Sequence, residues 1–203
     1  MREKAFKAAL ARRMAIATML AVSSASATAF DFKGLVLGAA TTSSEVDSHL
    51  NTGCKSAIEG RACLEGEKVL YEAGRVQCGA GVDGMTVCNG YTTILGSSAR
   101  INVVINSKDT LDRIWLTDIE AANFEAIRQQ LVAKFDAPKS TATPTVGFGA
   151  TFRQTEVTWA NTAQDEVALL RYAGDVIHSS LLFTTAEDRV RLWGLPKKAK
   201  GDI

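Results

Sequence analysis

Hydrophobic positions along the chain change period several times, and each change predicts an element. Phe32, Leu35 and Leu37 read as a first strand ending at Gly38. Thr42-Ser43-Ser44-Glu45 has the form of a capping box, a hydroxyl to accept from the third helical amide and a carboxylate to reach back, so a short helix is expected over Ser43 to Leu50. Gly53, Gly60 and Gly66 then punctuate a stretch of short, irregular structure. Ala99 to Ile105 and Leu111 to Thr117 are strand-like runs on either side of Asn106-Ser107-Lys108-Asp109, the composition of a hairpin turn. In the second run Ile114 and Leu116 alternate with Arg113, Trp115 and Thr117, which assigns one face to the core and leaves the other with an aromatic among polar groups.

A second capping box, Thr117-Asp118-Ile119-Glu120, is read as opening the longest helix. Its apolar stripe is Phe124, Ile127, Leu131 and Phe135, and Pro138 stops it. Lys139 to Thr151, rich in Thr, Gly and Pro, is expected to be a long loop with Phe148 near its tip. Thr155 to Ala160 and Glu166 to Tyr172 read as another hairpin, with Val157 and Trp159 on its core face, and Ser179 to Thr184 as a further strand. The recurring order predicts an α+β fold: an antiparallel sheet with helices packed on one face, built from two helix-then-strands units.

Composition places this pattern in an ordinary globular class, with 46% hydrophobic and 22% charged residues among 203. No apolar run approaches the roughly 20 residues of a spanning helix, so no stable membrane insertion is expected. The N-terminus changes the compartment. Arg2, Lys4, Lys7, Arg12 and Arg13 precede the apolar stretch Met14 to Val22 and then Ala27-Thr28-Ala29, the three parts of a secretory signal peptide cut between Ala29 and Phe30. Residues 30–203 then form a single domain, periplasmic or secreted. Cleavage removes five of 23 basic and one of 22 acidic residues, leaving 18 against 21. A slightly acidic chain has no global field to draw nucleic acid. The tail Lys197-Lys198-Ala199-Lys200 reads as a solvated end.

Cys54, Cys63, Cys78 and Cys88 fit export, as two disulfides in an oxidising compartment. Three connectivities are open, and short-loop closure favours Cys54 with Cys63 and Cys78 with Cys88. The spacings contain no C-x-x-C, and His49 lies far from His178, so no metal or cofactor is expected. Gly79-Ala80-Gly81-Val82-Asp83-Gly84 matches G-x-G-x-x-G in letters only. An extended Met85-Thr86-Val87-Cys88 follows where a phosphate-binding helix would have to begin, so it reads as a turn between strands.

The strand and helix phrases resemble a known group. Phe32-Lys33-Gly34-Leu35-Val36-Leu37-Gly38 before Glu45-Val46, then Phe124 to Leu131, Lys134-Phe135-Asp136-Ala137-Pro138 and Trp159, are similar to the β-lactamase-inhibitor-protein-like and small outer-membrane-assembly (SmpA/OmlA-like) α/β units of exported bacterial proteins. Asp136 stands where that pattern has glycine, which implies an aspartate in a left-handed conformation. The lipid-acceptor cysteine of the lipoprotein members is absent after the apolar stretch, where Phe30 follows Ala29. The resemblance implies a noncatalytic scaffold whose sheet face or loops contact another protein.

No catalytic residue is assigned. G-x-S-x-G is absent, and His49 and His178 are the only imidazoles. A small envelope hydrolase using His178 or a pair drawn from Asp112, Asp118, Glu120 and Glu156 is the alternative reading. Arg113 and Trp115 are the stronger binding candidates, because a rigid aromatic and a planar multi-donor cation gain most from desolvation at an interface. The expected function is an exported protein-binding module, its partner an envelope or secreted protein, its surface Arg113, Trp115, Glu156 and Thr158 with Phe148 as an edge contact.

Overall fold

The alternating runs pair into one sheet. A computed structural model describes residues 29–50, 76–147, 151–173 and 175–194. The expected signal peptide up to residue 28, Cys54, Cys63, Phe148 and residues Lys197 to Lys200 lie outside the described residues. The strands β3 (Gln77–Ala80), β4 (Thr86–Ile94), β5 (Ser97–Ile105) and β6 (Leu111–Glu120) form one meander. A second contains β7 (Ser140–Ala142), β10 (Glu156–Ala160), β11 (Glu166–Arg171) and β12 (His178–Thr184). They meet along β6 and β12 in an eight-stranded antiparallel sheet of order β3-β4-β5-β6-β12-β11-β10-β7. Helix α1 (Ser43–Leu50) precedes the first meander and α2 (Phe124–Phe135) the second. The fold is α+β, as the sequence predicts, and the helix-then-strands order recurs.

Cross-strand alternation puts Ile101, Val103, Ile114, Leu116, Phe183, Leu169, Val157 and Trp159 on one face, where all are buried. Val46 and Leu50 of α1 and Phe124, Ile127 and Leu131 of α2 complete that core. Trp159 also donates its indole N–H to the Asp136 carbonyl at 3.0 Å, which satisfies its one polar atom inside the core. On the same side Cys78 and Cys88, directly opposed on β3 and β4, are joined by a disulfide. The capping box of α1 is formed: Glu45 N–H donates to Thr42 Oγ1 at 3.2 Å and Thr42 N–H to Glu45 Oε2 at 2.7 Å. The Thr42 amide and, after it, the Thr42 hydroxyl, which donates to Glu45 Oε2 at 2.9 Å, hold the Glu45 carboxyl below its ordinary pKa.

Several expectations need correction. The single strand expected from Phe32 is a tight hairpin, β1 (Asp31–Phe32) against β2 (Leu35–Val36), because Lys33 and Gly34 both take positive φ. A Cβ on Gly34, at φ +86°, would stand 2.7 Å from the His49 ring. Gly34→Ala is therefore expected to cost about 1–3 kcal/mol by chemical denaturation. Thr117 to Glu120 opens no helix. Ile119 and Glu120 stay paired with Ser179 and His178, Asp118 turns out at φ 60° in an irregular step, and α2 starts at Phe124. Long-range pairing overrides the local cap.

The expected Lys139 to Thr151 loop contains β7 and, with Arg153, a small hairpin of β8 (Thr145–Gly147) and β9 (Thr151–Arg153). Finally, α3 (Ala186–Trp193) is not among the expected elements, and its ion pairs are with Arg113 and Glu166, on the sheet face opposite the core. Asp136 follows α2 at φ 64° and ψ −160°, positive in φ but extended in ψ, so it is not the left-handed helical cap that the resemblance implies. Asp136→Gly is expected to raise stability by about 1 kcal/mol, strain relief exceeding the entropy glycine adds to the unfolded chain.

Candidate functional site

The face of the sheet opposite the core carries the candidate site. One transverse row on it runs Asn89, Asn102, Trp115, Leu182, Ala168 and Thr158, each residue paired with the next across neighbouring strands. Trp115 is 44% exposed in the fourth strand of eight, against 1% for Trp159 on the core face. An indole left in water at the middle of a sheet forgoes burial that tryptophan ordinarily obtains. Polar pairs bound it on one side: Asn102 donates to Asn89 at 2.8 Å, and Arg100 meets the out-turned Asp118 at 3.3 Å. On the other side Ala168 and Thr158 are buried and small, so the surface beyond Leu182 is shallow.

One end of this face is occupied by α3. Val104, Arg113, Thr184 and Glu166 form the next row, and α3 docks on it through charge. Asp188, fully buried, lies 3.7 Å from the Arg113 guanidinium and accepts from Thr184 Oγ1 at 3.2 Å and from Arg191. Arg189 pairs with Glu166 at 2.7 Å. Arg191 also reaches Asp112 at 3.2 Å, which an extra residue in β6 turns toward the helix and to which Asn106 donates at 2.8 Å. Burial pushes the Asp112 carboxyl above its ordinary pKa, with Asn106 and Arg191 pulling back. Thr185 accepts from Asp188 N–H and caps the helix.

The expected binding residues divide accordingly. Trp115 is exposed and central. Arg113 shares its face but is mostly buried under Asp188, its Nε without a hydrogen-bond partner among the described residues, so it holds α3 in place. Thr158 lies in the Trp115 row three strands away, roughly 14 Å at the usual strand spacing, and touches Ser140 through its hydroxyl. Glu156 is half-buried on the same face. Phe148 lies outside the described residues. The sequence reading missed Asp188 and α3, although Thr185-Ala186-Glu187-Asp188 carries a hydroxyl followed by an acid at capping spacing.

The hydrolase candidates are placed differently. His178 Nδ1 lies 2.6 Å from Asp175 Oδ2, while Asp175 Oδ1 accepts the amides of Ile177 and His178 at 2.9 and 2.7 Å. The carboxylate is thus engaged in a turn. The His178 hydrogen bond, with the turn amides, holds Asp175 below its ordinary pKa. A depressed carboxyl pKa contributes stability above the ordinary value of about 3.9, lost as pH falls through the folded pKa. His178→Ala is expected to move the Asp175 titration, followed by NMR, up toward that value. The stability difference from wild type is expected at neutral pH and vanishes in acid. Asp112 and Asp118 are committed to Arg191 and Arg100. Among the described residues no three His, Cys, Asp or Glu side chains cluster as a metal site. Comparisons of the chain with family models, with curated proteins and with solved structures find no match.

Proposed function

We propose that this is an exported, noncatalytic protein-binding module that engages another envelope or secreted protein through the open sheet face. The observation that carries the reading is Trp115, 44% exposed on a central strand and opposite the core. Interface hot spots are rigid aromatics set among contacts that exclude water, and the half-buried Leu182 beside the indole adds apolar surface to it. Glu156 extends the contact at the far strand, Thr158 lies buried beside it, and Arg113 supports the face from beneath α3. The resemblance of the strand and helix phrases to the β-lactamase-inhibitor-protein-like group implies a binding role of this kind. In this reading the Asp175 and His178 pair locks a turn.

The test is affinity capture with wild-type and Trp115→Glu baits, mass-spectrometric identification, then titration of the purified partner. Expected is a saturable complex weakened about 30-fold or more by Trp115→Glu, the scale of losing a hot-spot aromatic. Equal affinity of both baits, or turnover of an envelope substrate that His178→Ala abolishes and Trp115→Glu leaves intact, would replace the reading with the hydrolase.

A further inference from the structure

At the end of the core face an arginine lies against aromatic rings without a counter-charge. Arg171 on β11 is directly opposite Ser179 on β12, two residues beyond the buried Leu169 and Leu181 pair, so both side chains share the core parity. Ser179 is 1% exposed, and its Oγ has no hydrogen-bond partner among the described residues. The Arg171 Nε is buried in the same state. Its guanidinium carbon lies 5.7 Å from the centre of the Phe124 ring and 5.0 Å from that of Tyr172. The rings attract the cation through their faces, but they offer no lone pair to its N–H donors. Tyr172 takes φ 63°, a conformation that a bulky residue adopts only under constraint. The carboxylate nearest in sequence, Asp175, is taken by His178 and by two turn amides.

Buried donors are nearly always met, so two orphans facing one another across a strand pair point to a missing acceptor. Directly opposed side chains stand about 5 Å apart at Cβ, close enough for both to reach one small group. The charge of that group follows from the surroundings. One guanidinium neutralises one negative charge, whereas a phosphate dianion beside the two rings would keep uncompensated charge out of water. We propose that Arg171 and Ser179 bind the carboxylate of a ligand. The guanidinium edge, Nε with one Nη, donates to the two oxygens as a fork, and the Ser179 hydroxyl donates to one of them. Phe124 and Tyr172 supply apolar walls. This site lies on the opposite face of the sheet from Trp115, goes beyond the protein-binding reading and does not depend on it.

The test is an NMR titration of the chain as recovered from expressing cells, following the Arg171 Nε–H and the backbone amides of residues 171 and 179. The probes are acetate, acetyl-Gly-Gly with a free carboxylate, the same peptide as its amide, and inorganic phosphate, all at one ionic strength set with chloride. Both carboxylates are expected to give saturable shifts, and the amide none. Tighter binding of the peptide than of acetate assigns the site to a chain end, and equal binding to a free small acid. Ser179→Ala is expected to weaken carboxylate binding about tenfold, the scale of one hydrogen bond to a charged group. Arg171→Lys keeps the charge but loses the fork, and is expected to weaken it at least as much. Ser179→Ala removes an unmet hydroxyl, so its unfolding midpoint is expected at or above that of wild type. Resonances that do not move, a response to the amide or to chloride alone, tighter binding of phosphate than of carboxylate, or unchanged affinity in the two variants overturns the proposal.

Discussion

Asp188→Ala is expected to destabilise the protein by about 3–5 kcal/mol, the scale of removing one partner from a buried ion pair. Asp188 is fully buried, and three groups converge on it: Arg113, Arg191 and the Thr184 hydroxyl. Arg113 already has a buried Nε without a partner among the described residues, so loss of the carboxylate leaves its charge in a site it cannot leave without undocking α3. The cost comes from the orphaned cation more than from the lost attraction, which gives the prediction a second arm. Arg113→Met combined with Asp188→Leu removes both charges together and is expected to recover most of the loss. Urea denaturation of the three proteins measures both effects. A cost below about 1 kcal/mol for Asp188→Ala would mean that α3 is not held by this cluster.

The second large effect contrasts two tryptophans. Trp159→Ala is expected to cost about 3–5 kcal/mol, since it empties the largest buried site of the core and leaves the Asp136 carbonyl without its donor. Trp115→Glu is expected to stay within about 0.5 kcal/mol of wild type, because its side chain faces water on the other side of the sheet. Denaturation midpoints test the pair. Comparable losses from both changes would place Trp115 in the core and remove the basis for a recognition surface there.

The face of each tryptophan is legible from alternation alone, whereas the exposure of Trp115 is not, because packing under the Lys139 to Thr151 loop or another element is equally open in the sequence. Val157 and Trp159 take one parity, Arg113 and Trp115 the other, and a period of two leaves no other assignment once a hairpin forms. The β5–β6 and β10–β11 hairpins, α1 with its capping box, and the Cys78–Cys88 pair follow from contacts near in sequence. What escaped depends on distant partners. Thr117 to Glu120 has a helix-opening signature, yet β12 supplies backbone partners that keep Ile119 and Glu120 extended. Ser140 to Ala142 has little apolar content and becomes a strand only because β10 offers an edge. The third helix was invisible to a search for inward apolar stripes, because its inward face is Asp188 and its apolar residues point out. Arg113, a candidate contact by residue type, forms an ion pair within the chain whose partner, Asp188, is 75 residues away and not foreseeable from local pattern.

The claim that the open sheet face is the recognition surface is tested most directly by site-specific photocrosslinking. A photoreactive phenylalanine analogue replaces Trp115 in one protein and Gln129, exposed on the outer side of α2, in the other. The account predicts one dominant protein adduct from position 115 that position 129 does not give, with the crosslinked partner peptide mapped by mass spectrometry. No adduct at 115, or the same adducts from both positions, would contradict it.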